Sequence, residues 1–235
     1  IPRSDFRQDG FHYTLTDLNG RNITQTSSVK DIAVIEVPAN KSFTLTDCHT
    51  DDNNGGETRT MGSVKHEYAN SQSGRGVVVK GNFTLYNGGI TTNNCSTNYP
   101  PERLYSGAGV YVDGGGSFTM YGGKVAENIA MNGAGVYVNK DGSAAMYGGK
   151  ITGNKVGEGY GAGVYVGGGT FDMYGGSISG NNQLGWNYNG DGGGVYINSG
   201  SFNLHDGTIT GNNGYWGGGV NLYNGAFNIC LLYTS

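Results

Sequence analysis

Apolar and polar positions alternate along the chain in bursts of three to five residues. The clearest burst is Val-x-Val, seen as Val110-Tyr111-Val112, Val136-Tyr137-Val138, Val164-Tyr165-Val166 and Val195-Tyr196-Ile197, with looser copies at Val77-Val78-Val79 and Val220-Asn221-Leu222. A second burst, Phe-x-Met-Tyr, recurs as Phe83-Thr84-Leu85-Tyr86, Phe118-Thr119-Met120-Tyr121, Phe171-Asp172-Met173-Tyr174 and Phe202-Asn203-Leu204-His205, with Ala144-Ala145-Met146-Tyr147 as a small-residue copy. A third places Ile or Val three residues before Asn: Ile90 to Asn93, Val125 to Asn128, Ile151 to Asn154, Ile178 to Asn181 and Ile209 to Asn212. Period-two alternation punctuated by Gly, Asn and Asp predicts short strands joined by tight bends, and no helices.

One repeat cannot stand alone. It buries about five side chains, each worth roughly 1.5 to 3 kcal/mol, against about 1 to 2 kcal/mol of backbone entropy for every residue ordered. Stacking equivalent strands about 4.8 Å apart satisfies their backbone groups and merges the small cores into columns of Val, Phe, Met and Ile. The five asparagines fit the same stack, since Asn tolerates a left-handed bend and piled amides bond along the axis. The sequence therefore predicts an all-β chain, a right-handed parallel β-helix or solenoid with about three short strands per coil. The first valine recurs at intervals of 25 to 33 residues, too irregular for a hexapeptide left-handed helix and too short for a propeller blade of about 40 residues. Right-handedness follows from the preference of parallel crossovers.

Regular repeats are expected over residues 77–229 and irregular coils of the same helix over 1–76, where Asp31 to Val37 and Phe43 to Thr46 have strand composition. Asp51-Asp52-Asn53-Asn54-Gly55-Gly56 reads as a loop, with calcium capture as the weaker alternative. Residues 230–235, Cys-Leu-Leu-Tyr-Thr-Ser, break the pattern and resemble a translated sequencing adapter, so they are expected to be non-native and are excluded from fold reasoning. The opening at Ile1 reads as truncated.

Gly-Val-Tyr-Val, Phe-Thr-Met-Tyr-Gly-Gly and Lys-Ile-Thr-Gly-Asn together resemble the repeat of bacterial surface β-helix proteins with a pectate-lyase-like fold, over about residues 74–229. The resemblance implies secretion or display at the cell surface and an adhesin-like role. It specifies the coil and not the ligand.

Composition narrows the alternatives. A net charge of −4 and 14% charged residues argue against a nucleic-acid binder. No uninterrupted apolar stretch of about twenty residues is present, so no membrane-spanning helix is expected. The 46 glycines would suggest low complexity, but 17 Tyr, 8 Phe and many Val and Ile supply a core. Cys48 and Cys95 lack any zinc spacing, and either a bridge between them or buried thiols would fit.

Function is expected at one edge. From first Val to Asn the repeats span 16 to 18 residues, whereas from Asn to the next Val they span 8 to 17. All the length variation thus falls at one corner of the coil, in segments 94–108, 155–162, 182–193 and 213–218, which are expected to emerge together. These carry Tyr99, Tyr105, Tyr160, Trp186, Tyr188, Tyr215 and Trp216. Aromatic rings stack on the flat C–H face of a sugar while Asn and Asp bond its hydroxyls. Tyr160, Trp186, Tyr188, Tyr215 and Trp216 are accordingly the candidate ligand-binding residues, for a glycan or another host or cell-surface ligand; rings folded back over the coil are the competing reading. The columns Tyr111, Tyr137, Tyr165, Tyr196 and Tyr121, Tyr147, Tyr174 are expected as exposed, structural ladders.

Catalysis finds less support. A paired-Asp constellation is not evident: Asp51-Asp52 lies outside the repeat, His205-Asp206 occupies the Tyr-Gly position, and spacing alone does not bring Asp172 to Asp191. Arginine is scarce after Arg103, and Lys124, Lys140, Lys150 and Lys155 read as solvated surface. Gly114-Gly115-Gly116 and Gly192-Gly193-Gly194 precede no helix, which removes a phosphate-cradling role. No catalytic residue, metal ligand or cofactor is assigned. A polysaccharide lyase or glycoside hydrolase of the same fold is the alternative to a binding scaffold.

Overall fold

The computed structural model describes residues 7–8, 11–18, 21–25, 33–47, 61–66, 74–95, 106–157, 159–184 and 191–230. Among these the chain is all-β, and with one exception the named strand pairings are parallel. The exception joins Arg7–Gln8 to Phe11–Asp17.

Equivalent strands of successive repeats lie in register. Val110 pairs Val136 and Val77, Val136 pairs Val164, and Val164 pairs Val195. The Phe-x-Met strands form a second stack, with Phe43, Phe83 and Phe118 in file, Ala144 breaking the file, and Phe171 and Phe202 resuming it. In Val164–Met173 and Val195–Leu204 both strands run as one ten-residue strand, which fuses the two stacks into a single sheet of 14 strands. Ile90, Val125, Ile151, Ile178 and Ile209 line a third stack of seven strands.

Alternation places one member of each pair inward. Every first valine from Val77 to Val195 is fully buried, with the phenylalanines, the methionines and the third-stack isoleucines up to Ile178 beside them. Each buried ring or methionine contributes roughly 1.5 to 3 kcal/mol. Strands of the N-terminal segment enter the same stacks: Ile35 pairs Val77, and Val64 pairs Ile90.

The asparagine column is a closed hydrogen-bond ladder. The Nδ2 of Asn93 donates to Oδ1 of Asn128 at 3.0 Å, and the relation repeats from Asn128 to Asn154, Asn154 to Asn181 and Asn181 to Asn212. The same oxygens accept the backbone N–H of the preceding asparagine, and each Nδ2 also donates to a carbonyl such as Ile90 O or Val125 O. Buried amides with all four bonds made add rigidity, whereas a half-made network would cost more than an apolar core. His66 starts the ladder, its Nδ1 3.0 Å from Asn93 Oδ1; that oxygen only accepts, so Nδ1 carries the proton. The glycine before each valine makes room for this column. A Cβ on Gly135 would sit 2.9 Å from Asn154 Nδ2 and 2.5 Å from Gly163 O.

Two features depart from the sequence expectation. A short fourth stack follows the asparagines, where Ile129–Ala130, Lys155–Val156 and Asn182–Gln183 pair in parallel. The Tyr111, Tyr137, Tyr165, Tyr196 ladder is also not exposed: the first two rings are half-buried and the last two buried. The chain returning to each valine covers them through a glycine in the left-handed region. Gly133, at φ 57°, would place a Cβ 2.9 Å from that of Tyr137, and Gly192, at φ 67°, one 2.8 Å from that of Tyr196.

Candidate functional site

The length-variable corner is built on its own small core. Cys95, Ala130 and Val156, which follow the asparagines, pack with Ala108, Ala134 and Ala162, which precede the valines. Small residues on both sides let the outgoing and returning segments close together, and the variable segments span the gap between them.

The returning segments stack. Gly107 N donates to Asn132 O, Gly133 N to Tyr160 O, Gly161 N to Asp191 O and Gly192 N to Trp216 O, all at 2.9 or 3.0 Å. Ser106, Asn132, Tyr160, Asp191 and Trp216 thus form one row along the edge, with bridges between Ser106 and Asn132 and between Asp191 and Trp216. The outgoing ends stack as well, through Asn94 with Ile129 and Asn182 with Asn213. The anchors of segments 94–108, 155–162, 182–193 and 213–218 therefore lie along a single edge.

This row holds two of the aromatic candidates, Tyr160 and Trp216, with Tyr215 next to the second, and adds a carboxylate. Tyr160 folds back onto the coil, its ring stacked at 4.7 Å on Tyr196. Trp216 does the opposite: it is 61% exposed, and Tyr215, 49% exposed, meets it edge to face at 5.2 Å. Gln183 Oε1 accepts the Tyr215 N–H at 3.0 Å, and Asn221 Nδ2 donates to Trp216 O at 3.3 Å, fixing the backbone beneath the pair. Trp186, Tyr188, Tyr99 and Tyr105 lie outside the described residues.

Asp191 stands between Tyr160 and Trp216 in the row. Its Oδ1 is enclosed and makes no hydrogen bond. Burial pushes its carboxyl above the usual carboxylate range, and the backbone N–H of Trp216 pulls it part of the way back. The structure does not gather Asp191 with Asp172. Asp172 belongs to the Phe-x-Met stack, where Asn203 Nδ2 donates to it at 2.7 Å and His205 Nε2 lies 3.6 Å away. Among the described residues no cluster of three or more His, Cys, Asp or Glu could hold a metal ion.

An open groove of about 340 Å³ borders the asparagine ladder, lined by Thr92, Asn93, Asn94, Glu127, Ile129 and Lys155. Thr92 and Glu127 both adopt φ 57° there, where sister repeats place Gly153, Gly180 and Gly211. A β-branched residue in that conformation is strained.

Sequence pattern located the edge, but not the row's register or Asp191's enclosure. Its visible signal was Gly-Ala-Gly before Val110, Val136 and Val164 and Gly-Gly-Gly before Val195 and Val220, whose small residues mark close chain approach. No family model, curated protein or solved structure matches the chain. Among the described residues no helix is long and apolar enough to cross a membrane.

Proposed function

We propose that this chain is a right-handed parallel β-helix with about three strands per turn, acting as a secreted or cell-surface scaffold that binds a glycan or another surface ligand at its loop edge. Right-handedness rests on the general bias of parallel crossovers. The role is adhesin-like, and the ligand is held without being cleaved. The observation that carries the reading is the exposed Tyr215–Trp216 pair beside Asp191 on a rigid, stacked edge. An indole face left open to solvent suits a sugar's C–H face, and the neighbouring carboxylate and amides suit its hydroxyls.

A glycan-array screen, followed by assays for reducing ends and unsaturated products, tests it. Stacking contributes about 1 to 3 kcal/mol per ring, so Trp216→Ala should weaken binding on the order of 10- to 100-fold with an unchanged β-sheet circular dichroism spectrum. One observation favours a second reading, a polysaccharide lyase or glycoside hydrolase: the enclosed, unpartnered Oδ1 of Asp191 with its raised pKa. Turnover that disappears in Asp191→Asn would establish the enzyme and overturn the scaffold.

A further inference from the structure

We propose that the outer face of the Phe-x-Met-Tyr stack is a second binding surface, a track for an extended, uncharged polysaccharide lying along the stack with one sugar per turn. It is separate from the loop edge, and either reading can fail without the other.

Three rows of side chains point outward from this stack. One contains Ser117, Ser143, Thr170 and Ser201, in register from turn to turn. The next contains Thr44, Thr84 and Thr119, passing through Ala145 to Asp172. The third is Tyr86, Tyr121, Tyr147 and Tyr174, with ring centroids 4.9, 5.0 and 4.8 Å apart and His205 following at 4.3 Å. All four tyrosines are between 40 and 52% exposed.

The rings lie within 15° of parallel along this row, so their faces are taken up by one another. What they offer a ligand is a line of edges and phenol hydroxyls. With the serine and threonine rows beside it, the face is a flat lattice of hydroxyls at the strand spacing of about 4.8 Å. A flat β-1,4-linked glycan advances by close to that spacing per sugar, so every second sugar, related by the chain's two-fold screw, meets an equivalent set of donors and acceptors.

Charge decides the class of polymer. From Ser42 to Tyr147 these rows hold no ionisable group other than the tyrosine phenols. The described lysines lie off these rows: Lys65, Lys124 and Lys150 on the third stack, Lys155 on the fourth, and Lys41, Lys80 and Lys140 in links between strands, with Lys80 paired to Glu36. A polyuronate or nucleic acid would find no cation on the track and would meet Asp172 at its far end. A neutral chain has no charge to desolvate there, and its hydroxyls regain hydrogen bonds from the rows.

Isothermal titration with cellohexaose, cellotriose and polygalacturonate tests the inference, using the wild type and the double variant Tyr121→Phe/Tyr147→Phe. The phenylalanines keep the ring stack, remove only hydroxyls and leave the loop edge intact, so melting temperature should hold and any loss of affinity belongs to the track. Each hydrogen bond lost is worth about 3- to 10-fold, so the double variant should bind cellohexaose roughly tenfold or more weakly. Cellohexaose should bind more tightly than cellotriose, and polygalacturonate should not bind. Failure of cellohexaose to bind, equal affinity for the two neutral oligosaccharides, binding of polygalacturonate, or indifference to the double variant would each overturn the track.

Discussion

Two tyrosine ladders climb the two stacks of the 14-stranded sheet with nearly the same ring spacing, and they end in opposite surroundings. In one, Tyr111, Tyr137, Tyr165 and Tyr196 follow at 5.2, 4.7 and 5.4 Å; in the other, Tyr86, Tyr121, Tyr147 and Tyr174 follow at 4.8 to 5.0 Å. Tyr196 is 4% exposed and Tyr147 48%. Both ladders point outward, but Tyr111, Tyr137, Tyr165 and Tyr196 stand within strands, whereas Tyr86, Tyr121, Tyr147 and Tyr174 stand one residue past strand ends. The difference lies in the chain that precedes each strand. The returning segment lays Gly133, Gly161 or Gly192 against the first ladder, while the second is followed by a Gly-Gly bend that turns away. In that bend Gly149 and Gly176 leave space for the Met120 and Met146 methyls of the neighbouring turn. Identical aromatic columns thus become core or surface according to where glycine lets the backbone come close.

The largest effect that separates them is truncation. Tyr165→Ala empties a covered position and should cost about 3 kcal/mol or more, in the range for a buried aromatic. Tyr147→Ala loses its contacts with two neighbouring rings, each pair worth about 0.5 to 1.5 kcal/mol, and some burial, and should cost about half as much. Urea unfolding of the two variants measures this directly, and equal losses would show that the glycine cover adds nothing.

Alternation of Val with Tyr predicted which side chains turn inward, and that prediction holds from Val110 to Ile197 because period two is a property of the strand itself. The asparagine column was legible for the same reason, as a fixed offset from Ile or Val. The cover over Tyr165 was not, because alternation assigns a side of the strand and not what later lies across it. The fourth stack escaped because Ile129–Ala130 and Lys155–Val156 are two residues long, too short to show any period. His66 escaped because it stands two residues after Val64, off the three-residue offset of the asparagines. The aromatic edge was legible as length variation, yet only the register shows Tyr160 folding onto Tyr196 while Trp216 stays open.

Alkaline titration should separate the ladders next. Burial raises Tyr111 and Tyr137; it lifts Tyr165 further, and Tyr196 to about 12. A phenol whose pKa is higher folded than unfolded stabilises the fold while neutral, below the unfolded value of about 10. That contribution is lost as pH rises from there through the folded pKa. Stability followed by circular dichroism should therefore fall between about pH 10 and 12, and absorbance near 295 nm should show a late ionising group that Tyr196→Phe removes. Tyr174 is raised mainly by the charge of Asp172, so Asp172→Asn should lower its pKa and leave the covered ladder unchanged. An effect of that variant on the late group would mean that the two ladders titrate as one.

The smallest expected effect tests how the covered ladder ends. The Arg75 guanidinium lies 4.4 Å from the Tyr111 ring centroid, and its Nε donates to Ser106 O at 2.8 Å, tying the first ring to the returning segment. Arg75→Lys keeps the charge but loses the flat group that covers the ring and the fixed donor to Ser106. An exposed cation–π contact is worth about 0.5 to 1 kcal/mol and a neutral-acceptor hydrogen bond about as much, so a loss of about 1 kcal/mol is expected in urea. Tyr111 also feels the Arg75 charge, which lowers its pKa against the stronger upward push of burial. Because Lys retains that charge, the Tyr111 titration should move far less in Arg75→Lys than in Arg75→Gln. Equal shifts in the two variants would show that the flat group, and not its charge, governs the terminal ring.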